Sequence, residues 1–189
     1  MESRKILWFC YFQLLTDFPF TSKHFDLIFK TLKNICSNFI RIDPIFVFHL
    51  IDSISNFICE KDRFDFWLQF CLSNPDNINL ILKTINIGLG QDQKDSVWNL
   101  IIKIIYHHRC RSKCLEFWKI AISLAIERND HWNVHKFFQM AISSMPYNRF
   151  LWEMLIEYER SINHNQHLSE LDHFYTETLR MHTSEKKPL

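Results

Sequence analysis

Apolar residues recur along this chain at intervals of three and four positions, the spacing of helices that bury one face. Two such faces follow each other between residues 112 and 145: Leu115, Trp118, Ile122 and Ala125 form the first, and Val134, Phe138, Ala141 and Met145 form the second. The polar run Arg128-Asn129-Asp130 separates them and predicts a turn. Pro146 ends the second face, because its ring clashes with the preceding turn of a helix. The pattern predicts two helices, over 112–128 and 131–145, that lie side by side.

Capping and stop signals predict further helices on both sides of this pair. Those before residue 112 are expected over 2–16, 21–41, 44–60, 63–72, 76–89 and 95–108. The strongest start signal is Asp43-Pro44, which joins an N-cap acceptor to a proline at the first helical position. Two more helices begin near Leu151 and near Leu171, the second after an insertion in the loop 161–167. Ten helices in about five antiparallel pairs, several of them apolar on more than one side, predict an all-α solenoid with a right-handed superhelix.

These helices are expected to form one helical-repeat domain over 1–182, followed by a flexible tail over 183–189. The apolar run from Ile6 to Leu15 follows Arg4-Lys5, as in a signal peptide. No small-residue cleavage site follows it, so a packed helix is expected instead. No apolar window reaches the length of about 18 residues that a membrane helix needs, so no membrane partner is expected.

Trp118 and Trp152 set the repeat, because each follows a large apolar residue and the two stand 34 residues apart. That distance is the period of two-helix tetratricopeptide (TPR) repeats. The same distance before Trp118 leads to Thr84, so the period continues backward in spacing but not in residue type. The predicted units are clearest at 112–146 and 147–182. Their core residues are Trp118, Val134, Phe138, Ala141, Pro146, Trp152, Leu155 and Tyr158.

A family resemblance appears in the second of these units. Residues 151–159 resemble the first helix of a half-a-TPR (HAT) repeat, and residues 134–142 resemble its second helix. More loosely, the run 116–159 resembles the C-terminal repeats of CCCH-type zinc-finger scaffolds that connect poly(A) RNA to the nuclear exosome. Ala125 and Met140 depart from the HAT pattern, which has a glutamate and a basic residue there that form a polar clamp. The resemblance implies a protein-binding scaffold of nuclear RNA processing, of a kind that often forms homodimers.

Composition agrees with a helical intracellular protein. Two glycines and five prolines are few for a chain of 189 residues, and 18 phenylalanines with six tryptophans supply bulky packing groups. The formal net charge is +1, so the chain as a whole has no electrostatic attraction for RNA or for anionic membranes. The cysteines lie on apolar helical faces and are interpreted as reduced, buried side chains. They are Cys10, Cys36, Cys59, Cys71, Cys110 and Cys114.

Four potential metal ligands share one stretch of the chain: Cys110, Cys114, His131 and His135. Cys-x3-Cys and His-x3-His are both acceptable pairs of zinc ligands. The 16 residues between the pairs hold a whole predicted helix, whereas a C2H2 finger has about twelve. We therefore expect buried thiols and a solvated histidine face, with no metal and no cofactor.

The densest positive charge lies in the segment 107–113, where Arg109, Arg111 and Lys113 follow two histidines. Two interpretations stay open for this basic loop. In the first interpretation, the loop contacts RNA phosphates or an acidic partner. Alternatively, it is a solvated loop whose cations lie favourably at the C-terminal end of the preceding helix.

No catalytic signature stands out in the sequence, which has no Gly-rich phosphate loop, no Gly-x-Ser-x-Gly and no His-Glu-x-x-His. The leading expectation is a non-enzymatic helical-repeat scaffold that binds other proteins of an RNA-processing or RNA-decay complex. Its expected location is the nucleus, with the cytoplasm as the alternative, and RNA would associate indirectly. The alternatives are a direct RNA-binding helical module that uses the basic loop, or a fragment of a larger multidomain protein.

Overall fold

The computed structural model of this protein describes most of the chain from Asp43 onward. The described residues are 30–32, 34, 43–56, 58–107, 113–162, 170–171, 173–178 and 180. Their regular secondary structure is α-helical throughout, which confirms the all-α prediction. The helix predicted over 2–16 and the tail predicted over 183–189 lie outside these residues. Two compact units make up the chain, the first unit ending at Ile104 and the second beginning at Ile105, and the single domain over 1–182 stays a prediction.

Seven helices have defined bounds within the described residues. They are α1 (Pro44–Ser55), α2 (Glu60–Ser73), α3 (Ile78–Gly90), α4 (Lys94–His107), α5 (Leu115–Glu127), α6 (His131–Ser144) and α7 (Arg149–Ser161). Short stretches at 30–34 and 170–180 are helical where they are described. Within these parts of the chain, none of the helices has both the length and the apolar character to cross a lipid bilayer. The solenoid and its number of helical pairs stay predictions.

The break between α1 and α2 comes earlier than predicted. Asp43 caps α1 as expected, since its carboxylate accepts the backbone N–H of Phe46 at 2.9 Å. The helix then ends at Ser55, and Glu60 opens α2 with Asp62 in the same first turn. Carboxylates are stabilising at the positive N-terminal end of a helix dipole and unfavourable at its C-terminal end. Electrostatics therefore favours a new helix at Glu60 over an extension of α1.

α3 and α5 end through the same kind of three-residue turn. The middle residue has a left-handed backbone in both, with φ of 57° at Asp92 and 55° at Asn129. The next residue donates its N–H back to the helix. Asp130 donates to the Ala125 carbonyl at 3.0 Å, and Gln93 donates to the Gly88 carbonyl at 2.8 Å. This Schellman closure satisfies carbonyls that a helix end leaves unpaired. The predicted turn at 128–130 is confirmed.

α2 and α6 also end alike, through a turn that contains proline. Asn74 and Met145 follow these helices with the same backbone conformation, φ −140° in both cases. Proline comes next in each turn, and an asparagine then caps the following helix. The side-chain oxygens of Asn77 and Asn148 accept first-turn N–H groups of α3 and α7 at 3.1 to 3.3 Å. Pro146 thus follows the end of α6, as predicted.

Helices in matching positions also have matching lengths. α2 and α6 have 14 residues each, and α3, α5 and α7 have 13. The starts of α5 and α7 are 34 residues apart, but those of α3 and α5 are 37 apart. Counting from the helix starts therefore matches Trp118 with Ile81, which is equally buried, and not with Thr84.

Each unit has its own aromatic core. In the first unit Trp67 is fully buried, and its ring lies 5.7 Å from that of Phe48. In the second unit α5 packs along α6, with the ring of the buried Trp118 6.5 Å from that of Phe137. The helices predicted over 112–128 and 131–145 do lie side by side.

The described cysteines divide between core and surface. Burial raises the pKa of the Cys71 thiol to about 12, although a hydrogen bond with Thr84 acts in the opposite direction. The prediction of a buried thiol is confirmed there. It is wrong for Cys59, which is exposed because it precedes α2 as the N-cap residue, and Cys114 is half-buried in the same position before α5.

Candidate binding cleft

Two capped helices position the candidate site in the second unit. The Asp130 carboxylate accepts the N–H of Asn133 at 3.1 Å and thereby fixes the start of α6. Asn148 caps α7 in the same way. The Trp152 indole N–H donates to the Pro146 carbonyl at 2.8 Å, which ties the turn to the helix that follows it. Side chains of α6 and α7 therefore meet in one defined arrangement.

A cleft of about 870 Å³ opens between α6, α7 and the helical residues Glu170, Leu171 and Phe174. Its walls are largely apolar and include Phe138, Ile142, Trp152, Leu155, Leu171 and Phe174. Trp132 also lines it and is 66% exposed, and Phe174 is 62% exposed. Exposed aromatic side chains on a cleft of this size are typical of surfaces that bind another molecule.

Glu159 brings a buried carboxylate to the cleft. Its side chain is 4% exposed, and its Oε1 lies 2.7 Å from His135 Nε2. His135 Nδ1 lies 2.7 Å from the backbone carbonyl of His131, which can only accept, so Nδ1 carries a proton. The His135 ring therefore joins the Glu159 side chain of α7 to the first turn of α6.

Tyr158 connects the two histidines. Its hydroxyl lies 2.6 Å from His131 Nδ1, and the His135 ring packs edge-on against its ring at 5.6 Å. Burial, followed by the nearby Glu159 carboxylate, raises the pKa of Tyr158 above its ordinary value. The phenol therefore stays protonated at neutral pH and acts as a hydrogen-bonding group.

Most of the predicted repeat-core residues are buried around this site. The buried ones are Trp118, Val134, Phe138, Ala141, Trp152, Leu155 and Tyr158. Pro146 is instead exposed, in the turn between α6 and α7. Phe138, Trp152 and Leu155 also line the cleft, so they serve both the core and the candidate site.

The histidines that were considered as metal ligands have other partners. His131 and His135 share an exposed face of α6, as predicted, and bond to Tyr158 and Glu159 of α7. Cys110 lies outside the described residues. Among the residues that are described, no group of three or more histidine, cysteine, aspartate or glutamate side chains is arranged to hold a metal ion.

The basic loop lies only partly within the described structure. Lys113 is exposed, whereas Arg109 and Arg111 lie outside the described residues. Directly before the loop, Tyr106 stacks on Trp132 with ring centroids 6.3 Å apart and planes inclined by 21°. Both aromatic side chains are exposed. An aromatic pair therefore precedes the predicted basic contact.

Two features of the cleft are missed by sequence reasoning. The resemblance to HAT repeats directs the expected basic residue to position 140, which is Met140, whereas Glu159 contacts His135, more than one turn earlier. The second missed feature is the exposed Trp132. The sequence does indicate its exposure, because Trp132 falls outside the apolar stripe of Val134 and Phe138 and therefore lies on the exposed side of α6.

This arrangement offers an apolar cleft with a buried carboxylate, two histidines and a lysine, Lys136, among its lining residues. No family model matches the chain, and no curated protein matches it either.

Proposed function

We propose that this protein is a non-catalytic helical-repeat scaffold that binds other proteins of a nuclear RNA-processing or RNA-decay complex through the cleft of its second unit. The observation that carries the proposal is the open cleft itself, with Trp132 and Phe174 exposed on it. Covering such a surface removes apolar area from water, which favours association. The nuclear RNA-processing setting comes from the HAT resemblance of residues 134–159, and RNA joins through the bound proteins.

Regular helix lengths and recurring turns support the repeat. α2 and α6 have 14 residues each, and α3, α5 and α7 have 13. The proline turns after α2 and α6 match each other, as do the left-handed turns after α3 and α5. A chain built from one kind of helical hairpin has these features, and arrays of that kind present binding surfaces along their stacked helices.

The geometry of His135 supports binding over catalysis. A histidine that acts as general base keeps one ring nitrogen on a carboxylate and turns the other toward the substrate. Here Nε2 is held by Glu159 and Nδ1 by the backbone carbonyl of His131. Both nitrogens are thus used within the protein, and the pair joins α6 to α7.

An affinity pull-down from nuclear extract, with and without nuclease, tests the proposal. We expect the double variant Trp132→Ala/Phe174→Ala to lose proteins that the parent retains after nuclease treatment, because both exposed rings of the cleft are removed. Ile126→Ala is the matched control, since Ile126 is 40% exposed but does not line the cleft. Equal capture by all three proteins would place the binding surface elsewhere.

A second candidate function is direct RNA binding by the basic loop. The observation that favours it is the exposed Tyr106–Trp132 stack directly before the loop. Single-stranded RNA is bound by surfaces that combine aromatic stacking with cations for the phosphates. Tyr106 and Trp132 would supply the stacking, and Arg109, Arg111 and Lys113 the charge.

Salt dependence separates the two candidates. If the basic loop binds RNA, the triple variant Arg109→Ala/Arg111→Ala/Lys113→Ala flattens the slope of log affinity against log salt by about 2, since each phosphate contact on a single strand contributes about 0.7. Filter binding of a labelled single-stranded RNA measures this slope. An unchanged affinity and slope would leave the loop without a role in RNA binding.

A further inference from the structure

A second surface groove lies in the first unit, between α1 and α3. It has a volume of about 430 Å³, and its lining residues all belong to these two helices. Ile45, Phe48 and Leu82 form its apolar floor, and Ile45 is 63% exposed. The side chains of Asn79 and Asn86 line it from α3. The groove therefore combines an exposed apolar floor with two amide groups.

Contacts with the core hold the walls of this groove in place. The Phe48 ring lies 5.7 Å from the ring of the fully buried Trp67. Lys83, which also lines the groove, has its Nζ 2.7 Å from Asp52 Oδ1 and 5.7 Å from the centroid of the Trp67 ring. The charge of Lys83 is thus balanced by a carboxylate of α1. The groove is therefore preformed and suits a ligand without charge.

The two asparagines have amide groups available for a ligand. Both residues are exposed, and the structure gives neither amide group a hydrogen-bond partner among the described residues. Asn79 and Asn86 stand seven positions apart on α3, which places them on one face and about 10.5 Å apart along the helix axis. Each amide group donates hydrogen bonds through its nitrogen. The groove therefore offers two donors at a fixed spacing beside its apolar floor.

This spacing selects the backbone conformation of a peptide that binds both amides. The carbonyl groups of an α-helix are bonded within the helix. In a β-strand, residues on one side are about 6.7 or 13 Å apart. A polyproline II helix has three residues per turn, advances about 9.3 Å per turn and has no internal hydrogen bonds. Its carbonyl groups three residues apart therefore face one side, at nearly the spacing of Asn79 and Asn86.

We propose that the groove between α1 and α3 binds a proline-rich segment of a partner protein in the polyproline II conformation. The amide N–H groups of Asn79 and Asn86 donate to carbonyl groups three residues apart in the segment. Proline rings cover Ile45, Phe48 and Leu82, in the way that such segments dock in aromatic-lined grooves. Proline has no backbone N–H, so the polar groups that the segment buries are carbonyl acceptors, which suit amide donors. This site is separate from the cleft of the second unit and goes beyond the function proposed for that cleft.

Fluorescence anisotropy of a fluorescein-labelled decaproline peptide, titrated with the whole chain, tests this inference. A labelled peptide of five Gly-Ser repeats has the same length but is a flexible coil. We expect decaproline to bind about tenfold more tightly, because it is already in the bound conformation. Asn79→Ala and Asn86→Ala are each expected to weaken its binding about fivefold, since each removes one hydrogen bond. Asn99→Ala is the matched control, because Asn99 is an exposed helical asparagine of the first unit that does not line the groove.

A variant of the apolar floor gives a second measurement. Ile45→Ala is expected to weaken decaproline binding about threefold, because it removes part of the apolar surface that the proline rings cover. Ile126→Ala is its control, since Ile126 is 40% exposed but does not line the groove. Circular dichroism checks that each variant is folded.

Three results overturn the inference. They are no saturable binding of decaproline, equal affinity for the Gly-Ser peptide, and binding that the asparagine variants and Ile45→Ala all leave unchanged. A dimer in light scattering that Ile45→Ala dissociates shows a second copy in the groove and also overturns it. None of these variants changes the cleft, so pull-down partners that depend on Trp132 and Phe174 support the proposed function whichever result is obtained here.

Discussion

Gly88 and Glu159 show how the surrounding side chains determine which residue fits at one position of a helix. Both are the eleventh residue of a 13-residue helix, and both are buried. A glycine inside a helix costs about 1 kcal/mol relative to alanine. It is accepted at Gly88 because Phe64 and Val97 occupy the space a side chain would need. Glu159 lines the cleft instead, and its carboxyl group pairs with His135.

Gly88→Ala is expected to destabilise the protein by about 1–2 kcal/mol, because overpacking outweighs the gain in helix propensity. Gly90→Ala is its matched control, since no atom lies within 4 Å of a Cβ atom built there. That variant is expected to gain about 0.5 kcal/mol. Urea unfolding of the two variants and the parent measures both effects. A Gly88→Ala protein more stable than the parent would contradict the packing described at this position.

At the scale of the element, local capping chemistry was predictable and the distances between elements were not. The signals at Asp43-Pro44, at 128–130 and at Pro146 act through adjacent backbone groups, and the structure has a cap or turn at each. The sequence predicts the end of α1 too late, because the apolar stripe continues beyond Ser55. The helix dipole instead favours Glu60 in the first turn of α2. The 34-residue period fails between α3 and α5, whose starts are 37 residues apart.

The two asparagine caps provide the test at this scale. Asn148→Ala and Asn77→Ala are each expected to cost about 1 kcal/mol, because each removes the acceptor for first-turn N–H groups. Asn86→Ala is the control, since Asn86 is exposed inside α3 and alanine is the better helix former. Thermal unfolding followed by circular dichroism compares them. A cap variant that unfolds at the same temperature as the Asn86→Ala protein would show that its capping hydrogen bond does not stabilise the protein.

At the scale of the molecule, the fold class followed from the sequence and the cleft did not. Helical spacing and a shortage of glycine act along the whole chain, so they indicate an all-α protein without knowledge of which helices meet. A cleft forms where neighbouring helices leave part of a helix face uncovered, and no local sequence pattern indicates which face that is. The HAT pattern has a basic residue at the position of Met140, whereas the contact to Glu159 comes from His135.

Burial also separates two tryptophans of the second unit, Trp152 and Trp132. Trp152→Ala is expected to cost about 3–5 kcal/mol, because it removes a buried ring and the N–H bond to the Pro146 carbonyl. Trp132→Ala, which removes the same side chain from a 66% exposed position, is expected to change stability by about 0.5 kcal/mol or less. Urea unfolding measures both. Similar losses in the two variants would reject the burial assigned to Trp152.

The hairpin tips at Asp92 and Asn129 use left-handed backbone without glycine. A side chain in that conformation costs the folded state about 1 kcal/mol, least for asparagine and aspartate. It also narrows the range of shapes open to the unfolded chain, which offsets part of that cost. Each tip joins two helices that are adjacent in sequence. Restricting the unfolded backbone at the tip therefore helps the two helices of a hairpin to find each other, and such local contacts favour fast folding.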